Sequence, residues 1–234
     1  MHLYLSYAAI SPYRGLMSHE PMFNLREKAP LVLFGILAAV HILRLVAPDS
    51  LLNTLLPWLF LQPLSTQGLP IVQSLSSVLG HGLLHADFMH LIMNGFMIVA
   101  FGVVTIQGVR ADIRMKRHPL SPVQKFWLIF IIGVFGGGIF QWGWWSLANI
   151  VNAGAVGASG GASALFATMA YAIGGRDRML KFGLGWLVVN IVLALIGPVL
   201  GSNIAWAAHL GGYVIGIIMA RLWVRPNSTA FRLN

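Results

Sequence analysis

The sequence predicts an all-helical protein that crosses a bilayer six times, with a long apolar loop joining the first two crossings. Three observations predict it. Of the 234 residues, 57% are hydrophobic and only 9% charged. The apolar residues gather into runs long enough to span a membrane. The basic residues recur in every second loop. A soluble domain holds itself in solution with about 25% charged residues. That deficit, with a mean hydropathy of +0.77, makes lipid the expected solvent.

A spanning helix needs roughly 20 mostly apolar residues. The six runs are Pro30–Val46, Phe88–Gln107, Phe126–Leu147, Ser159–Gly174, Leu180–Leu200 and Ile204–Val224. The fourth is short and opens on small residues, so its outer end is expected below the headgroups. Residues 1–29 hold no apolar stretch long enough for a cleavable signal peptide, and the first run is expected to act as an uncleaved anchor. With no repeat or low-complexity tract, the chain reads as a short N-terminal segment (1–29), one membrane domain (30–224) and a tail (225–234).

The cations set the orientation. Arg14, Arg26 and Lys28 precede span one, and Arg110, Arg114, Lys116, Arg117 and Lys125 lie between spans two and three. Arg176, Arg178 and Lys181 separate spans four and five, and Arg221, Arg225 and Arg232 close the chain. The intervening loops contain no Lys or Arg, and only Arg44 breaks the pattern. The positive-inside rule then puts both termini in the cytoplasm, and a bacterial inner membrane is the expected location. The net charge of +9 is thus a topology signal. A nucleic-acid partner would need a basic face with base-reading groups, and none is visible. The chain has no cysteine, which excludes disulfides, thiolate metal sites and a cysteine nucleophile.

The outer loop 49–87 is uncharged apart from Asp49 and Asp87, and it is largely apolar. It is expected to lie in the interface, with Trp58 at headgroup depth. Trp142, Trp144 and Trp145, at the outer end of span three, read as an interfacial belt.

Polar groups inside spans are costly and become functional hypotheses by default. Three clusters stand out. His90 and Asn94 are four residues apart in span two and share a helix face. Ser159 opens span four within Gly157-Ala158-Ser159-Gly160. His209 lies in span six within Ala208-His209-Leu210-Gly211-Gly212. All three spans run from outside to inside, and each carries its cluster near its outer end. At about 1.5 Å per residue, His209 sits only about 8 Å below Ile204. Three unrelated structural polar groups need not share one depth.

Each residue type suits one chemistry. A serine hydroxyl becomes a nucleophile when a neighbouring histidine removes its proton. At a helix N-terminus, the free N–H groups of Ser159 and its neighbours favour a developing negative charge, and His90 and Asn94 could donate to the same oxyanion. Gly212 and Gly216 follow His209 at i+3 and i+7, and Gly157 and Gly160 flank Ser159; all four are expected to pack helices at the dyad, since small residues on facing helices permit close approach. All six acids, Glu20, Glu27, Asp49, Asp87, Asp112 and Asp177, lie in loops or termini. A Ser–His dyad is therefore expected rather than a triad, with packing orienting the imidazole.

Taken singly, these features have blander readings. Gly-x-Ser-Gly in a membrane helix usually means packing, and His209 could be an interhelical hydrogen-bonding group or a proton relay. His90 and Asn94 could be interhelical glue. His81 and His85 have metal-pair spacing, but only Asp87 stands near as a third ligand, so no metal or other cofactor is expected. His41 and Arg44 read as structural or snorkelling, and Ser163 as a packing residue.

Together, however, the motifs resemble the rhomboid family of intramembrane serine proteases. The matching residues are His81-Gly82-Leu83-Leu84-His85, His90-x-x-x-Asn94, Gly157-Ala158-Ser159-Gly160, and Ala208-His209 followed by Gly212 and Gly216, in family order across a core of about residues 30–224. The resemblance implies a six-helix bundle, a dyad of Ser159 and His209, and an oxyanion site from the Ser159 backbone amide, His90 and Asn94. It implies structural roles for His81 and His85 and for the outer loop, lateral access beside span five, and single-span substrates with helix-breaking residues near the cut. Two positions depart from the family pattern. Where many members have Trp-Arg ahead of the first histidine, this chain has Leu75-Ser76-Ser77-Val78. Where many have an aromatic four residues after the serine, it has Ser163. The first bears on how the loop is held, the second on how His209 is oriented.

Two other functions compete: a catalytically silent rhomboid-like protein that binds membrane clients, and a histidine-based transporter or proton channel. Silent members typically lack the serine or the histidine, and this chain keeps both. A transporter would want paired intramembrane acids or broken helices in repeated halves, and neither is seen.

Overall fold

The computed structural model describes residues 27–64, 70–115, 119–200 and 204–226. The expected N-terminal segment and C-terminal tail lie almost wholly outside them. Among the described residues all regular structure is helical: α1 (Lys28–Val46), α2 (Asp49–Leu59), α3 (Ile71–Gly80), α4 (Phe88–Met115), α5 (Pro122–Leu147), α6 (Ser159–Ile196) and α7 (Trp206–Trp223). Four of these, α1, α4, α5 and α6, are long and apolar enough to cross a membrane. The chain is an integral membrane protein.

The boundaries follow local chemistry. Asp87 starts α4 where expected, its carboxylate accepting the His90 N–H at 2.8 Å. The α4 helix runs eight residues beyond the expected end at Gln107, because nothing in Gly-Val-Arg-Ala-Asp-Ile-Arg-Met breaks a helix. Its cations follow the apolar stretch on the same rod, and Arg110 pairs there with Glu27. The α5 helix starts four residues before Phe126, where a Ser121–Gln124 capping box and Pro122 at the first turn fix the entrance.

Expected spans four and five form one helical element with a break in it. Gly174 and Gly175 leave helical geometry, and Gly175 has φ +66°, a left-handed conformation that glycine adopts at no steric cost. The break divides α6 into a first arm, 159–173, and a second arm, 176–196. Phe166 stacks on Phe182 with ring centroids 5.7 Å apart and meets Trp186 edge-on at 5.4 Å. Residues far apart in sequence thus meet across the break, so the second arm folds back along the first.

The α7 helix runs along both arms. Against the first arm it makes a backbone-to-backbone contact. A Cβ built on Gly216 would lie 2.5 Å from Ala164 O, and one built on Gly212 would collide with Gly160 O. From α5, Gly137 meets the same knot, and a Cβ there would lie 2.8 Å from Ala208 O and 3.2 Å from Gly160 Cα. Three helices therefore touch through main chain. Against the second arm the contact is made by side chains: the Tyr213 hydroxyl donates to Met179 O at 2.6 Å.

The outer loop folds as α2, α3 and a 3-10 turn, His81–Leu83. It is tied to the segment ahead of Ser159 by a two-residue antiparallel bridge, in which Ala155 N–H donates to Leu61 O at 2.9 Å and Leu61 N–H to Ala155 O at 3.2 Å. The Trp142 indole N–H donates to Gln62 O at 2.8 Å. Trp142 and Trp145 are buried in an outer cluster with Leu61, Val78 and Ala155. The expected belt of three tryptophans is thereby corrected: two form the floor beneath the loop, because the loop covers them, and only Trp144 is exposed. Arg44, the cation out of pattern, donates to Ala86 O in the loop at 3.3 Å.

Overpacking a well-filled contact typically costs about 1–3 kcal/mol, and at Gly216 the obstructing atoms, Ala164 O and Cα and Ala167 Cβ, cannot rotate away. Gly216→Val is expected to lower stability to denaturant in detergent by at least the upper end of that range. Gly185→Ala, with open space around it, serves as the neutral control.

Candidate active site

Ser159 is the first residue of α6, and it is buried. Its N-cap neighbour, Ala158, has no side chain with which to cap the first turn. The leading N–H groups of the helix therefore keep their donors for another acceptor. The Ser159 carbonyl accepts the Ser163 hydroxyl at 2.8 Å, which occupies Ser163 within its own helix.

The segment entering this helix is held from outside. Gly157 N–H donates to His81 O at 2.8 Å. Gly157 has φ +127° and lies ahead of the helix, which corrects its expected role as a helix-packing residue. Its missing side chain makes room at the site. A Cβ there would lie 2.8 Å from His90 Nε2 and 3.8 Å from Ser159 Oγ, so the imidazole of His90 and the hydroxyl of Ser159 border one small space.

His90 is braced from two sides. Its ring meets His85 edge-on, with centroids 5.2 Å apart, and the Asn94 side-chain amide donates to its carbonyl at 2.9 Å. Asn94 Oδ1 is buried and has no partner among the described residues. His81 and His85 are both buried. His81 Nδ1 lies 3.1 Å from Ser77 O. Ser77 is buried, and Ser76 donates to Trp58 O at 2.9 Å, so the stretch that lacks the Trp-Arg pair is held by serine hydroxyls and main chain. Burial pushes each ring down, to about 4 for His81 and for His85. Both therefore stay neutral near pH 7. Asp87, at the head of α4, is held below the ordinary carboxylate range by the His90 N–H it accepts.

His209 is half-buried on α7, one turn before Gly212. The Gly160–Gly212 contact therefore brings its turn of helix alongside the start of α6. His209 Nδ1 lies 2.7 Å from Asn190 Oδ1 on the second arm, and its ring lies 5.8 Å from that of Trp186 at a 36° tilt. Packing rather than a carboxylate is expected to orient the imidazole; in the structure a side-chain amide faces its Nδ1 and an indole lies beside it.

Sequence reasoning did not single out Asn190 or Trp186. The signal was present, since Asn190 is a polar residue in the apolar run Trp-Leu-Val-Val-Asn-Ile-Val-Leu. Measured from an outer end at Leu200, it lies about 15 Å down, deeper than the other clusters. The helix in fact stops at Ile196 and continues as a 3-10 turn to Leu200. From Ile196 the distance is about 9 Å, and the 2.7 Å approach of Asn190 Oδ1 to His209 Nδ1 brings the two side chains together.

Beyond Gln141, whose Oε1 accepts Ala208 N–H at 3.2 Å, the same end of the bundle holds a cavity of about 380 Å³ bounded by Trp144, Trp145, Asn152, Ala194 and Trp206. Ser159, His90 and His209 do not line it.

Residues 72–226 match the family model of the Rhomboid domain. No curated protein matches the chain.

A histidine that is neutral in the fold but protonated in the unfolded chain makes stability depend on pH. Protons bind preferentially to the unfolded state between its ordinary value of 6.5 and the folded value of about 4, so stability is full above pH 6.5 and falls as pH drops through that window. Each ring contributes up to about 1.4 kcal/mol per pH unit. Thermal unfolding in detergent should show this acid slope, and His85→Gln should make it shallower.

Proposed function

The chain belongs to the rhomboid family, and from that premise we propose that it is an intramembrane serine endopeptidase with Ser159 as nucleophile and His209 as general base. Rhomboids are in general serine intramembrane proteases, and inactive members exist. The observation that carries the proposal for this chain is the main-chain contact of Gly160 with Gly212, which sets the turn bearing His209 beside the uncapped helix end that begins with Ser159.

The reaction follows from those groups. His209 takes the proton of the Ser159 hydroxyl as the oxygen attacks the carbonyl carbon of the scissile peptide. The carbonyl oxygen becomes an oxyanion. The Ser159 amide and the helix dipole favour it, the His90 ring borders the Ser159 hydroxyl, and Asn94 has a second N–H on the nitrogen that already serves His90 O. Collapse breaks the C–N bond, and the imidazolium gives its proton to the leaving amine. Water then attacks the acyl-enzyme by the same path, releasing the acid and regenerating Ser159.

The membrane arrangement is part of the reading. The two arms of α6 count as spans four and five and α7 as the sixth. With every second loop free of Lys and Arg, both termini face the cytoplasm and Ser159 lies near the outer face, in a bacterial inner membrane. The substrates are single-span proteins whose helices unwind near the cut, since a peptide bond within a helix is shielded from attack by its own turn. The silent and transporter readings gain no specific support from the geometry.

A fluorophosphonate probe should label the detergent-solubilised protein, and Ser159→Ala and His209→Ala should abolish labelling and cleavage of a single-span reporter substrate. His90→Ala should slow cleavage on the order of 10²–10³-fold, the usual effect of removing one oxyanion donor. Labelling that survives Ser159→Ala refutes the nucleophile. A periplasmic reporter fused within 49–87 should be active, and a cytoplasmic one silent.

A further inference from the structure

Asn190 belongs to none of the groups that react, yet its surroundings fix a proton elsewhere. An asparagine amide presents an acceptor at one end and donors at the other, and the network decides which is which. Here Asn190 Nδ2 donates to Trp186 O at 2.8 Å, one turn back on the same arm. A carbonyl can only accept, so the nitrogen must face it. The oxygen of the amide then faces His209 Nδ1 at 2.7 Å. That oxygen has no hydrogen to give, so in the neutral ring the hydrogen must be on Nδ1. The lone pair is left on Nε2, at the edge of the ring away from Asn190.

We propose that Asn190 is a positioning residue that fixes His209 in its Nδ1–H tautomer and so leaves Nε2 as the base that takes the Ser159 proton. The proposal rests on the protease reading for its consequence, though not for the tautomer. Trp186 is its second half: its main chain orients the Asn190 amide, and its ring lies against the imidazole at 5.8 Å, limiting rotation of the ring about its long axis. The pair stands where a carboxylate orients the histidine of a Ser-His-Asp site, with one difference of physical consequence. An amide is uncharged, so it orients the ring without the desolvation cost of burying an anion. Asn190 itself is fully buried, and the one acid in the arm that carries it, Asp177, lies 13 residues away beside the Gly174–Gly175 break.

The position also explains Ser163. An aromatic four residues after the serine would reach the imidazole from the first arm. In this chain the ring beside His209 comes from the second arm, and Ser163 turns back to its own helix at Ser159 O.

The test combines a spectroscopic and a kinetic readout on the full chain in detergent. With histidine labelled by ¹⁵N, the His209 signals are assigned by their loss in His209→Ala. The wild type should show a protonated Nδ1 and an unprotonated Nε2. Asn190→Leu, which keeps the volume and removes the acceptor, should give a mixture of tautomers and slow fluorophosphonate labelling on the order of 10²-fold. It should lower kcat for a single-span reporter substrate while leaving KM within about twofold. Asn190→Asp, which restores an acceptor at the same reach, should recover the Nδ1–H form and most of the labelling rate. A wild-type ring protonated on Nε2 overturns the proposal, whatever the variants do. So does an Asn190→Leu protein that keeps both tautomer and rate. If Asn190→Leu does not fold, Asn190→Ala takes its place with the same expected outcomes. A wild type that shows the Nδ1–H form but does not label would sink the protease reading and leave the tautomer assignment standing.

Discussion

The structure depends on one constraint: three helices meet through their backbones. At Gly212 and Gly137 there is no room for a methyl group, and at Gly160 one would press on Gly133 O at 3.1 Å. In lipid the hydrophobic effect does not drive helices together, and van der Waals contact and hydrogen bonds must do so. Removing side chains at one level of the bundle lets α5, the first arm of α6 and α7 close to backbone distance. The catalytic candidates sit at the edge of that contact. Ser159 precedes Gly160, and His209 is one turn from Gly212, so a local packing rule sets the spacing of two side chains 50 positions apart in sequence.

The outer loop solves a second problem. A helix whose first turn has no side-chain cap needs its entering segment held, or that turn frays and the N–H groups lose their direction. The Leu61–Ala155 bridge and the His81 carbonyl on Gly157 N–H hold it with main-chain hydrogen bonds, in a region where unpaired backbone polar groups would be costly. The two buried tryptophans give the loop an apolar seat. Residues that look like membrane anchors in the sequence therefore serve as a core, because the loop lies over them.

Much of the site was legible because intramembrane polar residues are rare and each must be accounted for. His90, Asn94, Ser159 and His209 stand out on that ground alone. Asn190 obeys the same rule and was hidden by a boundary. Glycine and proline at 197 and 198 tighten the end of the helix, and a hydropathy run does not register where α geometry gives way. Gly157 misled for a related reason. A small residue beside Gly160 reads as helix packing, whereas a positive φ cannot be seen in composition.

The sequence by itself determined an all-helical membrane protein, the loops that carry the cations, the family and the polar residues within apolar runs, because each depends on local composition and on the cost of polarity in lipid. Only the tertiary structure decided which helix touches which, that spans four and five form a single element folded at Gly174–Gly175, and that the amide facing His209 comes from the second arm. Those are contacts between segments far apart in the chain, and a contact depends on the rotation of each helix about its axis, which no single segment encodes.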